Sequence, residues 1–147
     1  MKYSRYQNPE TMSPGFVLWR VTTQWQREIV AALAPLQLTH AQFIVLACIL
    51  RIEEEHNRPV NQIAIAKQAN MVPQVVSQIL RKIEPLELIQ RPEDPNDARA
   101  KLVSLTKKGK KTTEQAIKLV EDTDAAFFHG ISDDVITELS GLVERNS

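Results

Sequence analysis

The stretch NQIAIAKQANMVPQVVSQILRKI, residues 61–83, decides how the rest of the chain is read. Asn61 can cap a short helix with its side-chain oxygen. That helix is expected to run to about Gln68 with Ile63 and Ala66 inward, and Asn70 can take the left-handed conformation that ends it. Pro73 suits the first turn of a second helix, because its missing N–H has no partner there anyway. In this second helix Val72, Val76, Ile79 and Ile83 recur at helical spacing, which makes one face core. Gln74, Ser77, Gln78 and Arg81 fall on the other face, and Pro85 breaks the helix. Two short helices about a tight turn, the second polar and basic outside, form a helix-turn-helix pattern.

Outward from that motif, Leu88-Ile89-Gln90-Arg91 and Lys101 to Leu105 read as two strands. Their connection, Pro92 to Ala98, is rich in Pro, Asp and Asn, so the two should form a hairpin. Thr106 then caps a long helix to about His129, with Ile117, Val120, Phe127, Phe128 and Ile131 on one stripe. Ser132-Asp133-Asp134 opens a last helix, its acids well placed for the dipole. On the other side, an amphipathic helix carrying Phe16, Trp19, Trp25, Ile29 and Leu33 runs from about Pro14 to Ala34, and Pro35 stops it. Thr39 and Gln42 fit a capping box, and Leu38 with Phe43 a hydrophobic staple, ahead of a largely apolar helix to about Arg51. A polar loop, Glu53 to Arg58, follows. The expected fold is mainly α with a small β-hairpin (α+β), in a single domain.

The 147 residues are 43% hydrophobic, enough for one domain with a real core. The longest apolar run, Phe43 to Leu50, is too short to cross a bilayer. Lys2 and Arg5 are followed by Asn8-Pro9-Glu10-Thr11 and not by an apolar stretch, so no signal peptide and no membrane partner are expected. One cysteine, Cys48, excludes an internal disulfide framework and points to a reducing, cytoplasmic setting.

The zero net charge conceals a segregation. Residues 1–70 carry +2, residues 71–111 carry +4 and residues 112–147 carry −6. Lys107, Lys108, Lys110 and Lys111 crowd the start of a helix, whose N-terminus is already positive. Such a cluster is either a solvated surface or a site presented to an external anion. Arg91, Arg99 and Lys101 come from the adjoining hairpin. DNA accounts for helix-turn-helix, hairpin and lysines together: one helix enters the major groove, and the hairpin, as a wing, reaches along the backbone toward the minor groove.

Three segments then carry a resemblance to the MarR family of transcriptional regulators. Leu18-Trp19-Arg20-Val21-Thr22 through Trp25-Gln26-Arg27 resembles the first helix of one subgroup. Leu38-Thr39-His40-Ala41-Gln42-Phe43 resembles the start of the second. Asp94-Pro95-Asn96-Asp97-Ala98-Arg99, followed by Leu105-Thr106-Lys107-Lys108-Gly109, resembles the wing signature. The resemblance implies a winged helix-turn-helix over residues 36–111, with dimerisation helices at 14–34 and 112–147. It puts Gln74, Val75, Ser77, Gln78, Arg81 and Lys82 on the recognition helix, Arg99 at the wing tip in the minor groove, and Lys101 and Lys107 beside the DNA. Asp97 becomes the carboxylate that steadies the wing by pairing with a nearby arginine. The implied function is a homodimer on a palindromic operator, repressing by the commoner mode and released by a small, aromatic ligand held where the dimer helices meet the reading region. Pro85 and Glu87 depart from the family's usual helix end, which implies a shorter helix and affects the reach of Lys82 first.

Other residues have plainer readings. Cys48 sits among Leu46, Ala47 and Ile49 and reads as a small buried hydrophobe sooner than a redox sensor. His40, His56 and His129 lack metal-ligand spacing, so no metal or cofactor is expected. Trp19, Trp25 and Phe43 are ligand-binding candidates, with core or dimer packing as the alternative for the tryptophans. Asp124 interrupts an apolar stripe; it lies at a wet edge or pairs across a subunit boundary, since an unpaired buried carboxylate is costly. Four glycines, at 15, 109, 130 and 141, cannot build a phosphate-cradling loop, and no nucleophile–base set is visible, so an enzyme is not expected. The competing reading is a winged-helix protein-interaction module that does not bind DNA.

Overall fold

A computed structural model of the chain describes residues 3–97, 99 and 101–147. The elements run α1 (Pro9–Met12), α2 (Pro14–Leu33), α3 (His40–His56), β1 (Val60–Asn61), α4 (Gln62–Ala69), α5 (Pro73–Ile83), β2 (Ile89–Gln90), β3 (Leu102–Leu105), α6 (Lys107–Phe127) and α7 (Asp133–Arg145). Single 3-10 turns at Ala34–Leu36 and Glu84–Leu86 follow α2 and α5, each carrying the proline that stops the helix.

Helix α3 is the centre. The Thr39 hydroxyl accepts from the Gln42 N–H at 3.1 Å and the Gln42 side chain accepts from the Thr39 N–H at 3.1 Å, so two otherwise unpaired donors are satisfied. Phe43, Val45, Leu46, Cys48, Ile49, Leu50 and Ile52 are buried along it. Each such side chain contributes roughly 1.5–3 kcal/mol through burial. The helix runs on to His56, past the loop expected from Glu53. Arg51 pairs with Glu55 one turn on at 3.1 Å, and the Glu53 carboxylate accepts from the Leu105 N–H at 2.9 Å. Asn57, with φ 51°, closes it in the left-handed conformation.

The sheet has one more strand than the hairpin. β1 pairs antiparallel with β3 (Val60 with Val103, Asn61 with Leu102), and β3 with β2 (Ile89 with Leu105, Gln90 with Ser104), in the order β1-β3-β2. α6 lies against α2 and α3. The joint between the sheet and α6 is tight. Thr106 donates from N–H to the Leu88 carbonyl at 3.0 Å and accepts from the Gly109 N–H at 2.9 Å. Gly109 is buried against Leu88, and a Cβ there would overlap the Leu88 carbonyl.

Several expectations are corrected. Ile63 is 69% exposed, because the inward stripe of α4 is Gln62, Ile65 and Ala66. Val72 is exposed at the N-cap of α5, whose core face is Val76, Leu80 and Ile83. Phe16 and Trp19 are exposed on α2, and Ile131 is exposed beyond the end of α6. Ser132 starts α7 without a side-chain cap bond. Asp124 pairs within its own chain: the Trp25 Nε1–H donates to its Oδ1 at 2.6 Å.

The same contact gathers three helices. His40, at the start of α3, meets the Trp25 ring edge-on at 5.1 Å, and Phe128 lies 6.3 Å from that ring. Burial holds the His40 imidazole below its usual value, with the Asp124 carboxylate opposing. The unfolded chain therefore takes up a proton near pH 6.5 that the folded chain refuses, and stability falls as pH drops through that window. At fixed protein concentration, the melting temperature should fall between about pH 7.5 and 5.5, and His40→Gln should remove part of that fall. Equal falls in both proteins would exclude His40 as the cause.

Candidate nucleic-acid interface

α5 owes its two faces to its spacing. Val76, Leu80 and Ile83 point into the core, while Gln74, Val75, Gln78, Arg81 and Lys82 are exposed and Ser77 is half-buried. α4 holds it from behind: the Asn61 side chain caps α4 by accepting from the Ile63 N–H at 2.7 Å, and Asn70, with φ 54°, makes the turn between the two helices. Opposite α5 stands the wing. At its tip the Asp94 carboxylate accepts from the Asn96 N–H at 2.8 Å, and the Asp97 carboxylate from the Arg99 N–H at 2.9 Å. These are short side-chain turns that fold the loop back on itself. No ion pair of Asp97 occurs among the described residues, so the expected pairing with an arginine side chain is replaced by a bond to a backbone amide.

Between α5 and the wing lies a cleft of about 860 Å³. Its walls bring together Gln74, Ser77, Gln78, Arg81, Arg99, Lys101 and Asp97, which the sequence had placed on separate elements. They also include Asn61, Gln62, Ile63 and Pro73, which sequence reasoning had not assigned to a site. Three cations face one carboxylate, and amide and hydroxyl groups lie between them, so the cleft favours an anionic ligand with hydrogen-bonding edges. Val75 and Lys82 lie on the other flank of α5, where they line a shallower depression with Gln78, Ile79 and Arg81. Lys107 is exposed in the first turn of α6, outside both. Lys108 is partly engaged, donating from Nζ to the Leu86 carbonyl at 3.2 Å.

The aromatic candidates are not brought into this cleft. Phe43 is buried in the core, Trp25 is half-buried against His40 and Asp124, and Trp19 is 65% exposed on α2. Cys48 is buried, and burial pushes its thiol pKa up, which is the wrong direction for a reactive thiolate. Among the described residues no group of His, Cys, Asp or Glu could hold a metal, and no single helix is long and apolar enough to cross a membrane.

A helix that turns amides and guanidinium groups outward beside a basic wing has what reading a duplex requires: donors and acceptors for base edges, cations for phosphates. In class this is a winged helix-turn-helix DNA-binding protein. More particularly, the chain belongs to the MarR family: the model of that family matches residues 38–101. It is 39% identical over 127 residues to the uncharacterised HTH-type transcriptional regulator YdcH of Bacillus subtilis strain 168, covering 86% of this chain and 84% of that protein. Among solved structures it resembles CouR of Rhodococcus jostii RHA1 bound to p-coumaroyl-CoA, with a TM-score of 0.80 at 26% identity over 95% of this chain and 94% of that one. It also resembles the transcriptional repressor CouR bound to a 23-mer DNA duplex, with a TM-score of 0.76 at 26% identity over 97% and 98%.

Proposed function

We propose that the chain is a homodimeric repressor that reads a palindromic operator and lets go when a small, aromatic ligand binds. The observation that carries this reading is the cleft in which the polar face of α5 meets Arg99 and Lys101 of the wing. Gln74 and Gln78 suit adenine edges, Arg81 suits guanine, and the apolar Val75 suits a thymine methyl. Ser77 adds a hydroxyl contact. Lys82, Lys101 and Lys107 serve phosphates, Arg99 enters the minor groove, and Asp97 keeps the wing folded for it.

Two copies are needed because one module makes few contacts, whereas two recognition helices about one duplex turn apart read both half-sites. The apolar surfaces of the outer helices support this. α7 buries no residue in the single chain, and Val135, Ile136, Leu142 and Val143 stay exposed on it, as do Phe16, Leu18 and Trp19 on α2. The acidic last third keeps that end of the dimer away from DNA. The ligand acts by preferring the subunit spacing that misfits the operator. A bound p-coumaroyl-CoA in one relative supports an aromatic effector here, and Trp19, Trp25 and Phe43 remain the candidates for holding it. A cytoplasmic setting follows from this work on DNA.

Salt tests the reading. Affinity for the duplex upstream of the chain's own coding sequence should fall by about a hundredfold or more between roughly 50 and 200 mM salt, as four or more phosphate contacts are lost to counterions. A change of less than about twofold would mean that the cations do not meet a polyanion.

A further inference from the structure

Among the described residues Gln62 is the one buried side-chain amide of the DNA-reading half, 7% exposed at the first position of α4. Its bonds go to the wing. Its backbone N–H donates to the Lys101 carbonyl at 3.0 Å, and its Oε1 accepts from Arg91 Nη2 at 3.1 Å. Lys101 precedes β3 and Arg91 follows β2, so one residue of the helix-turn-helix holds both legs of the wing where they leave the sheet.

β1 holds the β3 leg as far as Leu102, and the Gln62 N–H extends that ladder by one residue to Lys101; on the other leg the contact is the Gln62 side chain on Arg91. The β2–β3 ladder ends at Gln90 with Ser104, and the next cross-link among the described residues is the Asp94–Asp97 bridge at the tip. At the start of that gap the Gln62 side chain ties the Arg91 leg to α4. Its acceptor bond is to a guanidinium, which makes it stronger and more directional than a neutral one. Gln62 also forms part of the cleft wall between Arg99 and α5.

We infer that Gln62, through Arg91, is a positioning residue that sets the distance between the wing arginine and the recognition helix, and so the reach of Arg99 on DNA. This rests on the DNA-reading function proposed above. Gln62 itself need not touch a base; its effect passes through Arg99. Loosening it should therefore abolish what Arg99 adds and leave what Gln78 adds untouched.

A thermodynamic cycle separates these roles. The probe is the tightest duplex that the unsubstituted protein selects from a random library, and binding is read by fluorescence anisotropy at fixed salt. Gln62→Leu, which keeps bulk and removes the acceptor, should weaken binding about as much as Arg99→Ala. The Gln62→Leu/Arg99→Ala protein should bind within about twofold of the weaker single variant, whereas Gln62→Leu/Gln78→Ala should show the product of the two losses. If Gln62→Leu does not fold, Arg91→Met replaces it in the same cycle, because Arg91 is exposed and its loss leaves the core intact. Multiplying losses with Arg99→Ala, or equal coupling to Arg99 and Gln78, would overturn the inference. A parent protein that selects no duplex would instead overturn the DNA reading itself.

Discussion

A Gly109→Ala protein should melt roughly 5–10 °C below the unsubstituted one. Alanine is the better helix former, so helix propensity alone predicts a small gain at this position in α6. Packing reverses the sign. Gly109 lies against the Leu88 backbone, and an added Cβ would overlap the Leu88 carbonyl, which already accepts from the Thr106 N–H. A backbone atom cannot rotate aside as a side chain can. Either α6 or the end of the wing must shift, at about 2–3 kcal/mol. Thermal melts at one protomer concentration check this, and Gly141→Ala, where nothing lies within 4 Å, serves as the control. Equal melting of the Gly109→Ala and parent proteins would show that the joint is loose.

Arg99→Ala should lower affinity for the operator by at least about tenfold and leave the melting curve unchanged. The side chain is exposed at the wing tip, and the turn is held by the Arg99 backbone N–H on Asp97, which alanine retains. The loss is one of contact and not of fold. It should also lower the slope of log affinity against log salt, by about one for each contact to phosphate removed. A gel shift equal to that of the parent would remove Arg99 from the site.

Features that depend on a few neighbouring residues were legible beforehand. The Thr39–Gln42 box, the Asn61 cap, the left-handed Asn70, the Pro73 start and the Thr106 cap are all where local chemistry put them. What escaped depends on partners distant in sequence. Strand β1 is two residues long and exists only because Val103 and Leu102 lie beside it. Asp124 finds Trp25 across 99 positions, on another helix. The site follows the same division. Gln74, Ser77, Gln78 and Arg81 were recognisable from one helix face, because exposure on a helix follows a period, whereas Arg99 and Lys101 lie outside the strands and were singled out by the hairpin's basic charge and by the wing resemblance. Gln62 was not, since glutamine at a helix start usually faces water. A signal existed: Gln62, Ile65, Ala66 and Ala69 follow the spacing of an inward stripe, and reading Ile63 into that stripe concealed it.

The last helix has a consequence of its own. A segment of 13 residues with nothing buried is marginal alone in water. In the dimer proposed above it gains stability from a second copy, so its folding obeys mass action. At the few molecules per cell typical of a scarce regulator, a fraction of chains would carry a frayed tail and stand open to proteolysis; as the number rises, pairing protects them. Turnover would then be tuned by abundance.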